Sequence, residues 1–177
     1  MSTPGPTRTP LPPHDEAAAA AMWRDYVAAH PEHAWDEPAV EHFGDSVESC
    51  DSLLALVLGG GKRATAALLR DFLAHDALPP RIGSHWVACD GRGAPRLVLR
   101  STELRVGPAD SVDAAFALDE GEGDRDAAEW LEGHARYWRR QAATEGFEWS
   151  PDLPVVFERF DVVWPPEDAD EASGPVG

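Results

Sequence analysis

Residues 59–69 read "GGGKRATAALL". Three consecutive glycines do not continue a helix, because each loses too much backbone freedom there. What precedes them is helical: Cys50, Leu53, Leu54, Val57 and Leu58 recur at i, i+3, i+4, i+7 and i+8, the spacing of one apolar helix face. Asp45, with Glu48 three positions on, resembles a capping box at its start. The expected helix covers 46–58 and stops at the glycines. Further on the period changes. "SHWVACD" (84–90) and "PRLVLRSTELRV" (95–106) read as strands joined by the glycine turn "GRGA". Such a chain is α+β rather than the regular βαβ alternation of a dinucleotide-binding fold.

The remaining segments extend this pattern. An alanine run followed by Met22, Trp23 and Val27 predicts a helix over 16–29. "ATAALLRDFLAHD" reads either as a third helix or as a strand followed by a helix. A short helix is expected at 110–117. A longer one, about 125–145, carries Trp130, Leu131, His134, Ala135, Trp138 and Ala142 along one face, with Asp124 as its cap and Gly146 as its stop. "LPVVFERFDVVW" (153–164) is a long final strand whose inward set is Val155, Phe157, Arg159 and Asp161 or the alternate one. Residues 1–14, rich in proline and threonine, read as a disordered leader. Residues 165–177, "PPEDADEASGPVG", read as a disordered acidic tail. The folded domain spans 15–164, and its element order suggests a small β-barrel or curled sheet decorated by helices.

Charge narrows the partners. The formal net charge is −17, and residues 15–164 alone still carry −14. Affinity for long polyanions comes from clustered lysine and arginine, so this balance opposes an extended RNA and suits a small neutral or cationic ligand. Cys50 and Cys89 form no CxxC pair, which gives no sign of structural zinc or of disulfide stapling. No apolar signal region and no run of about 18 apolar residues is present, so a membrane span is not expected and a cytoplasmic location is. "HPEHAWDEPAVEH" sets His30, His33 and His42 among acids, but the spacing matches no zinc motif, and the stretch reads as a loop. No metal or other cofactor is expected, and the sequence does not specify an oligomeric state.

Lys62 is the only lysine in the chain. On a glycine turn it can reach into a cleft and act as base or nucleophile in an apolar pocket. Alternatively it neutralises the carbonyl end of the preceding helix. The turn is no phosphate-binding P-loop, because Arg63 stands where Ser or Thr is required. Thr65, three residues on, would share a helical face with Lys62; its hydroxyl can attack an acyl carbon, hold an oxyanion or simply cap a helix. In "LDEGEGDR", Glu120 and Glu122 are flanked by glycines that let a carboxylate swing into a site, although acids before a helix are favourable in any case. Glu158 and Arg159 alternate on the final strand, so one faces in. Trp86 and the tryptophans of the 125–145 helix either stack on a base or fill the core.

Four stretches, "HFGDSVESCDSLLALVLGGGKRATAALL", "LPPRIGSHWVACDGRG", "LDEGEGDRDAAEWLEGHARYW" and "LPVVFERFDVV", together resemble the ASCH-domain family, in particular its YhfF-like branch (DUF984), whose fold is a PUA-like β-barrel. Arg63 replaces the first threonine of the family's G-x-K-T-A-T turn, while Lys62 and Thr65 match. The resemblance implies recognition of a nucleobase or nucleoside. ASCH domains are proposed to bind RNA, some relatives cut it, and one small member deacetylates cytidine nucleosides with a lysine, a threonine and a glutamate. Carried onto matching positions, it implies Lys62, Thr65 and Glu122 as catalytic residues, with Glu120 the alternative carboxylate. Arg63, Glu120, Glu158, Arg159 and Trp86 are the expected ligand-facing set. The expected activity is amide hydrolysis of an acylated cytidine-like nucleoside. The alternatives are an RNA-binding module or ribonuclease, or a non-catalytic nucleotide binder.

Overall fold

The computed structural model describes residues 8–124 and 126–171. Its described residues fall into two compact units, one within 8–59, 83–100 and 161–171, the other within 60–82, 101–124 and 126–160. One five-stranded sheet runs through the chain, and the α+β class expected from the sequence is observed. The strands are β1 (Ala39–His42), β2 (Ala64–Leu68), β3 (His85–Cys89), β4 (Pro95–Pro108) and β5 (Pro154–Trp164), in the order β1-β3-β4-β5-β2. β1 runs parallel to β3, β3 antiparallel to β4, and β2 antiparallel to β5.

In the first unit, helix α1 (Glu16–Ala29) starts at Asp15, whose side chain accepts from the Ala18 N–H. It lays Ala19 and Tyr26 against Val87 and Val98 of β3 and β4. Helix α2 (Val47–Leu58) ends at Gly59 as the glycine run predicts. Its capping box lies one residue later than expected: Ser46 and Ser49 exchange the two hydrogen bonds. Asp45 instead pairs with Arg8 at 2.6 Å, and Glu48 accepts from Thr9 Oγ1 at 2.5 Å. Val47 N–H donates to the Thr9 carbonyl, and Asp15 N–H to that of Gly93. Residues 8–14 are thus held by the acids and the free N–H groups at the start of α2, although composition reads them as leader. At the other end Asp170 exchanges hydrogen bonds with the Val162 backbone, donating its N–H and accepting through its carboxylate. The rest of the expected leader and tail, 1–7 and 172–177, lies outside the described residues.

β1 was legible only as loop. Four residues are too few to show an alternation, and parallel pairing with β3 makes them a strand.

The second unit resolves the ambiguity after the glycines: "ATAAL" is β2, followed directly by the short α3 (Leu69–Ala74). Helix α4 (Ala114–Glu120) is capped by Asp113 and ends at Gly121 in the left-handed region. Helix α5 (Ala127–Glu145) is capped by Asp126, not Asp124, and stops at left-handed Gly146. The two helices pack on β2 and β5. Phe116, Trp130, Trp138, Val155 and Phe157 form the centre of this core, with Phe116 meeting Phe157 edge-on at 5.1 Å. Both faces of β5 are buried from Val155 to Glu158, so neither alternating set is solvent-facing there.

The cap of α5 sets where its inward face begins. Asp126→Ala is expected to cost about 1 kcal/mol, seen as a lower urea midpoint with an unchanged slope.

Candidate functional site

The site lies wholly in the second unit. Gly59 to Gly61 release the chain from α2, and Lys62 follows, 1% exposed. Its Nζ donates to the Ala64 carbonyl at 2.7 Å, to the Glu120 carbonyl at 3.4 Å and to Glu122 Oε2 at 3.1 Å. Three hydrogen bonds are what an ammonium can donate. One of these acceptors is the last carbonyl of α4, and another is the Glu122 side chain just beyond it, so Lys62 neutralises a helix terminus; the helix is α4, not the preceding α2.

Gly121 allows this approach. Its φ is +67°, and a Cβ there would collide with the Gly61 carbonyl oxygen. Only glycine lets the α4 turn sit against the lysine turn. Arg63 fastens the same junction, its N–H donating to the Asp119 carbonyl at 2.8 Å and its guanidinium to the Lys62 carbonyl at 2.7 Å.

The two glutamates separate into different roles. Glu120 is 1% exposed. It accepts from Trp130 Nε1 at 2.6 Å and meets His134 Nε2 at 3.1 Å. Burial alone would raise its pKa, but the Lys62 charge and the His134 hydrogen bond outweigh it and hold the carboxyl down at about 2. Glu122 keeps part of its side chain in solvent. Burial raises its pKa against the pull of Lys62, and the neighbouring Glu120 charge pushes it further up. A hydrogen bond joins the two carboxyls. Glu120 is therefore the ionised anchor and Glu122 the proton-exchanging partner. His134 is pulled down by burial yet ends raised, because Glu120 bonds and attracts its imidazolium form. Its ring stacks on Trp130 at 3.8 Å, and its Nδ1 meets the Trp130 carbonyl at 3.0 Å.

Glu120, Glu122 and His134 also have the donor types of a metal site. The Lys62 ammonium already supplies the cation there.

Thr65 lies on β2, so the helical spacing that would align it with Lys62 does not apply. Strand register sets it opposite Glu158, and directly opposed side chains share a sheet face. Glu158 is buried on that face and accepts from Ser101 Oγ at 2.5 Å. Arg159 sits opposite Ala64 and reaches Asp119 at 2.8 Å and Glu103 at 2.9 Å. It lines a cleft of about 140 Å3 with Glu103, Arg105, Asp113, Phe116 and Phe157. Trp86 belongs to the first unit, where it packs edge-on against Phe43 at 5.0 Å.

Sequence reasoning did not put His134 and Trp130 in the site. Their i, i+4 spacing on one helical face was the available signal, but it is equally the signal of core.

The five-stranded α+β sheet has the PUA-like fold of ASCH domains. The chain belongs to the ASCH-domain family, whose model matches residues 39–164. It is similar to the crystal structure of protein EF3133 from Enterococcus faecalis V583, of family DUF984, at 28% identity and a TM-score of 0.73, over 84% of this chain and 89% of that one. The ASCH domain from Lactobacillus crispatus JV V101 has the same fold, with a TM-score of 0.75 at 24% identity, over 86% and 97% of the two chains. No curated protein matches the chain. Among the described residues no helix is long and apolar enough to cross a membrane.

Two outcomes test this geometry. Gly121→Ala should cost roughly 1–3 kcal/mol or more in strain, whereas Gly123→Ala, with nothing within 4 Å of its new Cβ, should cost less; chemical denaturation compares them. Glu120 contributes stability that is complete above its unfolded pKa of about 4.5 and is lost as pH falls toward about 2. Glu120→Gln should flatten that acid limb in urea midpoints measured from pH 7 to 3.

Proposed function

We propose that this protein hydrolyses the amide of an acylated nucleobase or nucleoside, with Glu122 as general acid/base and Lys62 as the charge that stabilises the oxyanion. The observation that carries the reading is the pair itself: a buried ammonium 3.1 Å from a partly solvent-facing carboxyl whose pKa is raised. A raised carboxyl exchanges protons closer to neutral pH, where general acid/base catalysis is most effective. A buried ammonium stabilises developing negative charge, here by passing its Glu122 hydrogen bond to the oxyanion as Glu122 takes up the proton.

The step is a hydrolysis. Glu122 takes a proton from water as its oxygen bonds the acyl carbon. Lys62 stabilises the tetrahedral oxyanion. The C–N bond then breaks, and Glu122 returns the proton to the leaving amine. Glu120 and His134 keep Glu122 and Lys62 in place, and Arg63 holds the turn. The cleft bounded by Phe116, Phe157, Arg105 and Arg159 is the proposed seat of the base. It lies at the start of α4, where Asp113 and Phe116 line it, and its Glu103 and Asp113 carboxylates suit amino and hydroxyl donors. The net charge of −17 supports a small neutral substrate over an extended RNA. A cytoplasmic location fits such a substrate.

The test follows release of cytidine from N4-acetylcytidine by chromatography. Lys62→Ala and Glu122→Gln are expected to lower kcat about 100- to 10,000-fold, with circular dichroism unchanged. Thr65→Ala should retain turnover if water is the nucleophile; loss equal to that of Lys62→Ala would instead make the Thr65 hydroxyl the acyl acceptor. Absence of turnover across a panel of acylated nucleosides, with the protein folded, would overturn the assignment.

A further inference from the structure

The first unit carries a second cluster of chemically capable side chains, unconnected to the proposed hydrolysis. His33 closes the short 3-10 turn after α1, Asp36 follows three residues on, and His85 opens β3. One ligating atom from each lies within 4.8 Å of the other two. The His85 side chain is 1% exposed. Its Nε2 is bonded to Tyr26 Oη at 3.0 Å. Its Nδ1 is buried without a hydrogen-bond partner and stands 3.7 Å from Asp36 Oδ2. A buried polar atom without a partner calls for an explanation.

We infer that His33, Asp36 and His85 form a site for a divalent transition metal, zinc being the best match. Two imidazoles and one carboxylate are a donor set that zinc accepts, with a fourth position left to solvent. Zinc ligands about 2 Å from the ion stand about 3.3 Å apart in a tetrahedron, so the 3.7 Å between His85 Nδ1 and Asp36 Oδ2 needs little adjustment. Asp36 is half-exposed, while His85 is buried. The bond to Tyr26 supplies the outer partner that a metal-bound imidazole usually has: Nε2–H donates to the phenol oxygen and the lone pair of Nδ1 faces the ion. Trp23 meets the His85 ring at 5.2 Å and Tyr26 stacks on His33 at 5.8 Å, giving the apolar surround that strengthens ligation. His33 Nδ1 and Asp36 Oδ2 already converge, 2.8 Å apart.

The full-length protein, stripped with chelator, is titrated with Zn2+ by calorimetry and with Co2+ by visible absorption. One ion per chain is expected, with the d–d bands of low-coordinate Co2+ and a Zn2+-dependent rise in Tm. His85 is packed under α1, so the more exposed ligands carry the mutagenesis. His33→Gln and Asp36→Asn should each lower affinity at least about tenfold, and Tyr26→Phe about tenfold through the outer bond. His14→Gln is the control, since His14 and His42 make a separate imidazole pair at 2.7 Å, and it should leave affinity unchanged. Failure to bind one equivalent, or unchanged affinity in both His33→Gln and Asp36→Asn, would overturn the site. So would loss of binding in His14→Gln alone.

Discussion

A lysine side chain buried to 1% exposure is expensive unless every donor it carries finds an acceptor. In this protein that requirement organises the second unit. The acceptors of the Lys62 ammonium come from β2, from the last carbonyl of α4 and from the loop beyond it. For those groups to converge, α4 must end where it does, Gly121 must be a glycine, and the lysine turn must come against the α4 turn. The carboxylates then need partners of their own, which α5 provides through Trp130 and His134. Cap, turn, helix register and buried charge are consequences of one solvation problem.

The same network divides labour between two carboxylates only two positions apart in sequence. Glu120 faces Trp130 and His134 and is closed off from water; Glu122 faces Lys62 and the solvent. Because a shared hydrogen bond favours one ionised and one protonated member, the environments drive their proton affinities apart. Such separation is how a single loop supplies both a fixed anion and an exchangeable proton. Membership of the ASCH family gives the scaffold, and scaffolds of this kind host more than one activity. Hydrolysis is therefore read from the Lys62–Glu122 pair and not from the fold.

Much of the architecture was readable from local pattern. The α2 stripe and its glycine stop, the two strands around "GRGA", the α5 face and the long β5 all appear where periodicity and turn chemistry put them. Errors cluster at helix starts: Asp45 with Glu48 and Asp124 each looked like caps, but the capping groups are Ser46 with Ser49, and Asp126. Several acids near a helix start satisfy the same local rule, and which one caps depends on what else the others can bind. Arg8 and Thr9, remote in sequence, took Asp45 and Glu48. Thr65 stayed between helix and strand for a related reason: the alanines, threonine and leucine of 64–68 satisfy neither period, and pairing with β5 makes them a strand.

The sequence by itself determined that Lys62 is solitary, that glycines surround both it and Glu122, and that an acidic α+β chain offers poor purchase to a long polyanion. These follow from composition and from backbone freedom, which are local properties. Only the tertiary structure decided which carboxylate meets the lysine, that His134 supports the other, and that His85 comes beside His33 and Asp36 from across fifty residues of chain. Those are matters of burial. The proton affinity of a carboxyl and the unmet lone pair of an imidazole depend on which atoms exclude water around them, and no spacing along the chain carries that information.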